Sequence, residues 1–196
     1  MSADVAFVCM MAVWACAELA LVVWMRASSA SDTHRDSGTL RIVLIAITVA
    51  LGGGAWLSWS GLGAWPGAWV PPLRWIGAAA IAIGLIVRWV AILTLRRYFT
   101  ITVAIRADHQ LVDWGPYRFF RHPSYSGAII ALFGLGLGSG GWLSGIVVVT
   151  PIVWAVLERI RVEESALGEG LGPAYLAWQA KTPRLVPRIF AQKRRP

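Results

Sequence analysis

The chain has 196 residues, of which 57% are hydrophobic and only 14% are charged, and its mean hydropathy is +0.62. These values exclude an ordinary soluble domain and predict a protein that crosses a membrane several times. The net charge of +8 would suit nucleic acid, but the basic residues lie in short blocks between apolar runs. Such blocks are what the positive-inside rule produces. We therefore predict contact with membrane lipids and no nucleic-acid partner.

Three apolar runs in the first half of the chain, residues 5–25, 42–60 and 75–95, are each long enough to cross a bilayer, which takes about 20 residues. We interpret residues 1–95 as three N-terminal transmembrane helices. The loop 26–41 and the segment 96–123 are rich in arginine. The bias of basic residues toward the cytoplasm therefore places both on that side, with the N-terminus outside.

The second half begins with a run without any charged residue, 124–157, which is too long for one membrane span and short for two. The break Gly138-Ser139-Gly140-Gly141 near its middle predicts a tight helical hairpin. We also predict an extended segment over 100–105, a helix over 155–168 and a short interfacial helix near 174–181. The predicted fold is thus an all-α integral membrane protein with about five transmembrane helices. Residues 96–196 form its catalytic region, with a cytoplasmic linker, the hairpin and the C-terminal helices.

The glycine-rich stretch 136–141 matches G-x-G-x-x-G, the dinucleotide-binding fingerprint. That fingerprint requires a strand before it and a helix after it, whereas this stretch lies inside the apolar hairpin. Close packing of helices through small residues explains it better.

Polar side chains gather at the predicted cytoplasmic face, where the chain passes from a polar segment into the next apolar run. Burying them requires partners or a ligand. They lack the H-x-x-x-H and E-x-x-H spacings of metal sites, so we predict no metal. Arg159 and Glu163 are four residues apart on one helix face, which suits either an ion pair or a site with both signs of charge. The set is His109, Tyr117, Arg121, His122, Tyr125, Arg159, Glu163 and Glu164.

Three stretches of the sequence resemble the isoprenylcysteine carboxyl methyltransferase family: "HQLVDWGPYRFFRHPSYSG" (109–127), "RIRVEESAL" (159–167) and "YLAWQAKTPRLVP" (175–187). The resemblance implies a membrane methyltransferase that uses S-adenosylmethionine and methylates the carboxylate of a lipid-like or isoprenylcysteine acceptor. The resemblance also implies that Arg159 binds the acceptor, and we predict that Arg121 and Arg159 are catalytic. The cofactor-binding residues are implied by the same resemblance, except Glu164, which we add to them. The predicted cofactor-binding residues are His109, Gln110, Leu111, Val112, Tyr117, His122, Pro123, Ser124, Tyr125, Glu163 and Glu164.

Three other functions remain open from the residues. A related membrane methyltransferase would act on a phospholipid amine and would not need Arg159 as a carboxylate clamp. A membrane reductase of related architecture would use a nicotinamide cofactor, and a non-enzymatic scaffold would bind no cofactor. The short layout is similar to prokaryotic members of the family, which predicts a bacterial or archaeal plasma membrane with the active site and C-terminus facing the cytoplasm.

Two charges lie inside the predicted spans. Glu18 precedes Arg26 by as many residues as Arg88 precedes Arg96, so both lie about 12 Å inside the same membrane edge. Because isolated charges at that depth are costly, we predict that Glu18 and Arg88 approach each other. The alternative is that Arg88 extends alone to the interface.

Overall fold

The computed structural model describes residues 1–28, 39–99 and 111–186. The α-helices in this part of the chain are α1 (Ala3–Ser28), α2 (Thr39–Ser60), α3 (Val70–Leu95), α4 (Pro123–Gly138), α5 (Trp142–Leu171) and α6 (Pro173–Lys181). Short 3-10 turns occupy Gly67–Trp69, Arg96–Tyr98 and Gly115–Arg118. Within the described residues the extended pairing amounts to an isolated bridge between Ala64 and Gly141. The all-α prediction is confirmed, and the predicted extended segment 100–105 lies outside the described residues.

Four helical stretches are long and apolar enough to cross a membrane: Ala3–Trp24, Arg41–Ser60, Gly67–Leu95 and Trp142–Leu171. The remaining predicted span, Pro123–Gly138, is a shorter apolar helix. Its 16 residues cover about 24 Å, less than the hydrocarbon thickness of about 30 Å. The count of about five therefore consists of four full-length helices and one short one.

The predicted hairpin consists of α4 and α5, which turn at Ser139–Gly141. Its second arm is longer than expected, because the helix predicted at 155–168 is the uninterrupted continuation of the helix that begins at Trp142. α5 therefore carries Arg159 and Glu163 on the same rigid element as the apolar span. The short helix predicted near 174–181 is confirmed as α6.

Glycines set the distance between α3 and α4. An added Cβ at Gly84 would lie 2.5 Å from the carbonyl oxygen of Gly127, and one at Gly127 would lie 2.5 Å from that of Gly84. Gly77 and Gly134 meet in the same way one heptad along the antiparallel pair. The two backbones therefore touch, as small residues allow in membrane helices.

The glycine-rich stretch 136–141 also serves helix packing. A Cβ at Gly136 would meet Val149 of α5 at 2.9 Å, and one at Gly138 would fall on the ring of Phe7 in α1. The stretch closes α4 and opens α5 with no strand before it. Helix packing is therefore the role of this motif.

The distribution of apolar side chains is that of a protein surrounded by lipid. The buried core of the bundle includes Phe7, Ile81, Leu132 and Ile152, while large residues such as Ile86 and Trp154 are exposed on the outer helix faces. Exposed aliphatic and aromatic surface of this extent suits a bilayer.

The predicted approach of Glu18 and Arg88 is confirmed. Arg88 Nε lies 2.6 Å from Glu18 Oε1, and its Nη2 donates to Glu18 Oε2 at 2.8 Å. Arg88 Nη1 donates to Ser124 Oγ at 3.0 Å. One arginine thus ties α1, α3 and the start of α4 together.

Candidate active site

The site forms at the end of the bundle where α3 finishes and α4 begins. The 3-10 turn Gly115–Arg118 starts at a glycine with φ of +60°, a conformation that favours glycine. It presents the buried ring of Tyr117. His122 then caps α4, and Pro123 occupies a first-turn position where its missing N–H costs no hydrogen bond. The local sequence therefore places Tyr117, His122 and Tyr125 beside the end of α5.

Glu164 is the centre of a buried polar cluster. Its Oε1 lies 3.1 Å from His122 Nε2 and 3.3 Å from Arg121 Nη2. Arg184 donates from Nε to Oε1 at 3.2 Å and from Nη2 to Oε2 at 2.5 Å. With both oxygens engaged, the carboxylate is compensated and holds the His122 ring in place.

A C-terminal strap, residues 182–186, lies along the start of α4. The carbonyl of Pro183 accepts from Arg121 N at 2.9 Å, and that of Arg184 accepts from His122 N at 3.0 Å. The carbonyl of Leu185 accepts from Ser126 Oγ at 2.6 Å. The first two bonds give acceptors to the backbone N–H groups just before α4, and the third gives one to the hydroxyl of Ser126. Arg184 therefore contacts His122 directly through its carbonyl and indirectly through Glu164.

Tyr125 stands between Arg159 and Glu163. Its hydroxyl accepts a hydrogen bond from Arg159 Nε at 3.0 Å and donates one to Glu163 Oε2 at 2.9 Å. The sequence left open a direct ion pair or a site of both charge signs, and it did not anticipate this bridging hydroxyl. A guanidinium and a carboxylate thus share one phenol, one helical turn apart on α5, or about 6 Å along its axis.

A cavity lies next to Glu163 at the end of the bundle where α3 and α5 finish. Several residues predicted to bind a cofactor line it, together with others that the sequence did not single out. The residues predicted to bind the cofactor are Leu111, Val112, Tyr117, His122 and Glu163. Arg121, predicted as catalytic, also lines the cavity, and the additional residues are Leu95, Tyr98, Leu167, Leu171, Tyr175 and Trp178. Most of the lining is apolar or aromatic, with Arg121 and Glu163 as its charged side chains and His122 beside them. Such a composition is typical of small-molecule sites.

Tyr117 and Tyr175 are both buried donors in this cavity. Burial raises the pKa of Tyr117, and the negative charge of Glu163 raises it further. Burial also raises the pKa of Tyr175, as does the charge of Glu164. Both phenols therefore stay protonated at neutral pH. Tyr117 donates to the carbonyl of Ala91 at 3.4 Å, whereas the Tyr175 hydroxyl has no hydrogen-bond partner among the described residues.

The remaining predicted residues fall into two groups. Pro123 and Ser124 are buried at the base of the site, and Ser124 accepts from Arg88. His109 and Gln110 lie outside the described residues. No group of three or more metal-ligating side chains occurs within 1–28, 39–99 and 111–186.

Arg184 and Tyr175 are among the residues of the site that the sequence did not assign. Both lie in the stretch 175–187 that resembles the family, but a tyrosine and an arginine in a short segment have no spacing that indicates their contacts. A basic residue three positions after the end of the short helix α6 was the available signal for Arg184.

The fold and this site define the class: a membrane-helical protein with a polar cluster at one end of the bundle. Residues 76–169 match the family model for the isoprenylcysteine carboxyl methyltransferase (ICMT) family. The similarity to that family, predicted from the sequence motifs, is thereby confirmed.

Individual relatives agree with this result. The chain is 37% identical, over 58% of its length, to protein-S-isoprenylcysteine O-methyltransferase B of Arabidopsis thaliana. It is 32% identical, over 60% of its length, to a probable enzyme of the same name from Oryza sativa subsp. indica. The chain spans 58% and 62% of those two relatives. Both relatives are plant proteins and give no support to the prediction of a prokaryotic member.

The fold is similar to a solved structure, that of the eukaryotic intramembrane Ras methyltransferase ICMT. The TM-score is 0.57 at 27% sequence identity, and the match covers 72% of this chain and 52% of that one. The bundle described above is therefore shared with an integral membrane methyltransferase.

Proposed function

We propose that the protein is a methyltransferase that uses S-adenosylmethionine to methylate the carboxylate of a lipid-like acceptor, such as an isoprenylated one. One observation carries the proposal. The Tyr125 hydroxyl joins the Glu163 carboxylate at the cavity to the buried guanidinium of Arg159, one turn earlier on α5. A cationic cofactor and an anionic acceptor are the two ligands that such a pair suits.

The cavity fits the cofactor by its chemistry. The Glu163 carboxylate is placed to hold an ammonium group. Leu111, Val112 and Leu167 offer apolar surface to a planar base, and the face of Tyr117 offers electron density to a cation. S-adenosylmethionine, when bound, supplies a methyl group attached to a positively charged sulfur. The remaining work belongs to the side chains of this chain.

Arg159 is the residue that we assign to the acceptor carboxylate. It is 6% exposed, and its Nε bond to Tyr125 fixes the orientation of the guanidinium. A carboxylate is already a competent nucleophile at pH 7, so ester formation needs no general base. One oxygen–carbon bond forms as one carbon–sulfur bond breaks, and the two opposite charges cancel. The protein contributes alignment and exclusion of water.

The positions of Glu163 and Arg159 suggest separate routes for the two ligands. Glu163 lines the cavity near the end of the bundle, whereas Arg159 lies one turn nearer the middle of α5, among Val156 and Ile160 of the apolar core. A soluble cofactor would enter from water, and a lipophilic acceptor would enter from the bilayer. We place this end of the bundle in the cytoplasm, because the arginine-rich segments lie there.

The experiment uses the full chain purified in detergent, labelled S-adenosylmethionine and membrane extract. Label recovered as a base-labile methyl ester supports the proposal, and base-stable label in lipid favours a phospholipid amine as acceptor. Titration of the same sample with a nicotinamide cofactor tests the reductase alternative. A chain that binds neither cofactor would contradict every enzymatic reading.

Variants of α5 test the two assignments. Glu163→Gln should weaken cofactor binding by roughly tenfold to a hundredfold, because a hydrogen bond to a charged group contributes about 1.5–3 kcal/mol. Arg159→Leu should abolish transfer and leave cofactor affinity largely intact, and Arg159→Lys should recover activity in part, since it loses the planar fork. Arg161→Gln is the matched control, because Arg161 is exposed and pairs with Glu158. Equal losses of stability in both site variants, with unchanged turnover per folded molecule, would leave Arg159 and Glu163 as a structural pair.

A further inference from the structure

Two hydrogen-bond donors in the cavity have no acceptor among the described residues: the hydroxyl of Tyr175 and the Nε of Arg121. Tyr175 is 1% exposed, and the side chain of Arg121 is 11% exposed. Both residues line the same cavity as Glu163. A buried donor without an acceptor is costly, so two in one cavity indicate that a ligand supplies the acceptors.

The neighbours of Arg121 hold its guanidinium in place and leave Nε without an acceptor among the described residues. Its Nη2 lies 3.3 Å from Glu164 Oε1, and its Nη1 donates to the carbonyl of Gln179 at 3.4 Å. Its backbone N–H is bound to Pro183. A guanidinium held at two points on an anchored backbone is pre-organised for a ligand that accepts from Nε.

Tyr175 is fixed by α6. Its ring packs against Trp178 with centroids 5.7 Å apart, and its hydroxyl lies within the electrostatic influence of Glu164, Arg121 and Glu163. The hydroxyl forms no hydrogen bond with either of these carboxylates. The hydroxyl is therefore a buried donor that an acceptor on a ligand would satisfy.

The cavity thus presents a carboxylate, Glu163, and two donors, Arg121 and Tyr175. An α-amino-acid group carries the complementary pair, an ammonium and a carboxylate on one carbon. We propose that Arg121 and Tyr175 form a subsite for the carboxylate of the cofactor's amino-acid group, while Glu163 takes its ammonium. This inference rests on the proposed function, because it names how the same cavity distinguishes its cofactor. It makes Arg121 a cofactor ligand, and Arg159 alone then faces the acceptor.

The test compares two ligands that differ by one group. S-adenosylmethionine and its decarboxylated form are titrated against the wild-type protein and Tyr175→Phe in detergent. Loss of a hydrogen bond to a charged group should raise the Kd for S-adenosylmethionine by roughly tenfold or more, with a change below about twofold for the decarboxylated ligand. Wild-type protein should prefer the intact ligand, and Tyr175→Phe should lose most of that preference.

Tyr117→Phe is the matched control. It removes the same atom from the same cavity, but the hydroxyl of Tyr117 already has Ala91 as its acceptor, so both ligands should be affected alike. Arg121→Lys provides a second measurement, since it retains the charge and loses Nε, and it should also reduce the preference for the intact ligand.

The outcomes separate this inference from the proposed function. If Tyr175→Phe and Arg121→Lys shift both ligands equally, or shift neither, the carboxylate subsite is refuted while cofactor binding stands. If wild-type protein binds neither ligand, the proposed function fails and the subsite fails with it.

Discussion

Gly127→Ala should reduce activity much more than stability, because Gly127 lies where α4 touches α3, two residues after Tyr125. A Cβ there would lie 2.5 Å from the carbonyl oxygen of Gly84, 2.6 Å from Arg88 N and 2.9 Å from Arg88 Cβ. The first two contacts are with backbone atoms, which cannot rotate away. Ordinary contact begins near 3.4 Å, so the start of α4 must move by about 0.9 Å.

The expected loss of folding stability is small, whereas the expected loss of methyl-transfer rate is large. Overpacking costs about 1–3 kcal/mol, and replacing a helical glycine by alanine returns about 1 kcal/mol, so the net loss of stability should be at most about 2 kcal/mol. A displacement near 1 Å at reacting groups costs roughly a hundredfold in rate. Since α4 carries Tyr125, methyl transfer per folded molecule should fall by about that factor.

Two alanine variants serve as controls. Gly134→Ala makes the same contact with Gly77 at 2.5 Å, about 10 Å further along α4, and should lose similar stability with much less activity. Gly52→Ala has nothing within 4 Å of the added atom and should be neutral or stabilising.

The measurements are methyl-ester formation normalised to the folded fraction, and thermal unfolding in the same detergent. Activity of Gly127→Ala within about twofold of Gly134→Ala would refute the claim that this contact positions the site. The two added Cβ atoms meet a backbone oxygen at the same distance of 2.5 Å, so the two variants should lose similar stability. If Gly127→Ala failed to fold while Gly134→Ala folded, the reasoning would also be contradicted.

Two further predictions concern the charges around the site. Glu18→Gln should destabilise the protein by about 3–5 kcal/mol, because it leaves the charge of Arg88 uncompensated. The double variant Glu18→Gln/Arg88→Met should therefore unfold at a higher temperature than Glu18→Gln alone. A lower unfolding temperature for the double variant would contradict this reasoning. Arg184→Gln should weaken cofactor binding by roughly tenfold with smaller changes in turnover. Glu164 would lose the two hydrogen bonds from Arg184 and would hold the ring of His122 at the cavity less firmly. Arg184→Lys should recover part of the affinity for the cofactor, and Arg161→Gln, at an exposed position, should leave it unchanged. Equal cofactor affinities in these three variants would show that Arg184 does not contribute to the site.

The sequence determined those features that depend on spacing within one element. Apolar run length predicted the spans, since a helix must cover the hydrocarbon thickness. The break at Gly138–Gly141 predicted the hairpin, and four-residue spacing placed Arg159 and Glu163 on one face of α5. The pairing of Glu18 with Arg88 also followed from the sequence, because two charges at one depth have few other partners in a bilayer.

The tertiary structure decided the contacts that depend on how helices are rotated and displaced against one another. Hydropathy does not show that Tyr125 lies between Arg159 and Glu163, because this bridge joins α4 to α5 and depends on how those two helices are rotated against each other. Nor does it show that the strap reaches Glu164 and the start of α4, or that Tyr175 lines the cavity. The Tyr125 bridge and the contact between Arg184 and Glu164 join residues 20 to 38 positions apart, and Ser126 and Leu185 are 59 positions apart. At such separations the partner is fixed by packing geometry, and local sequence carries no signal for it.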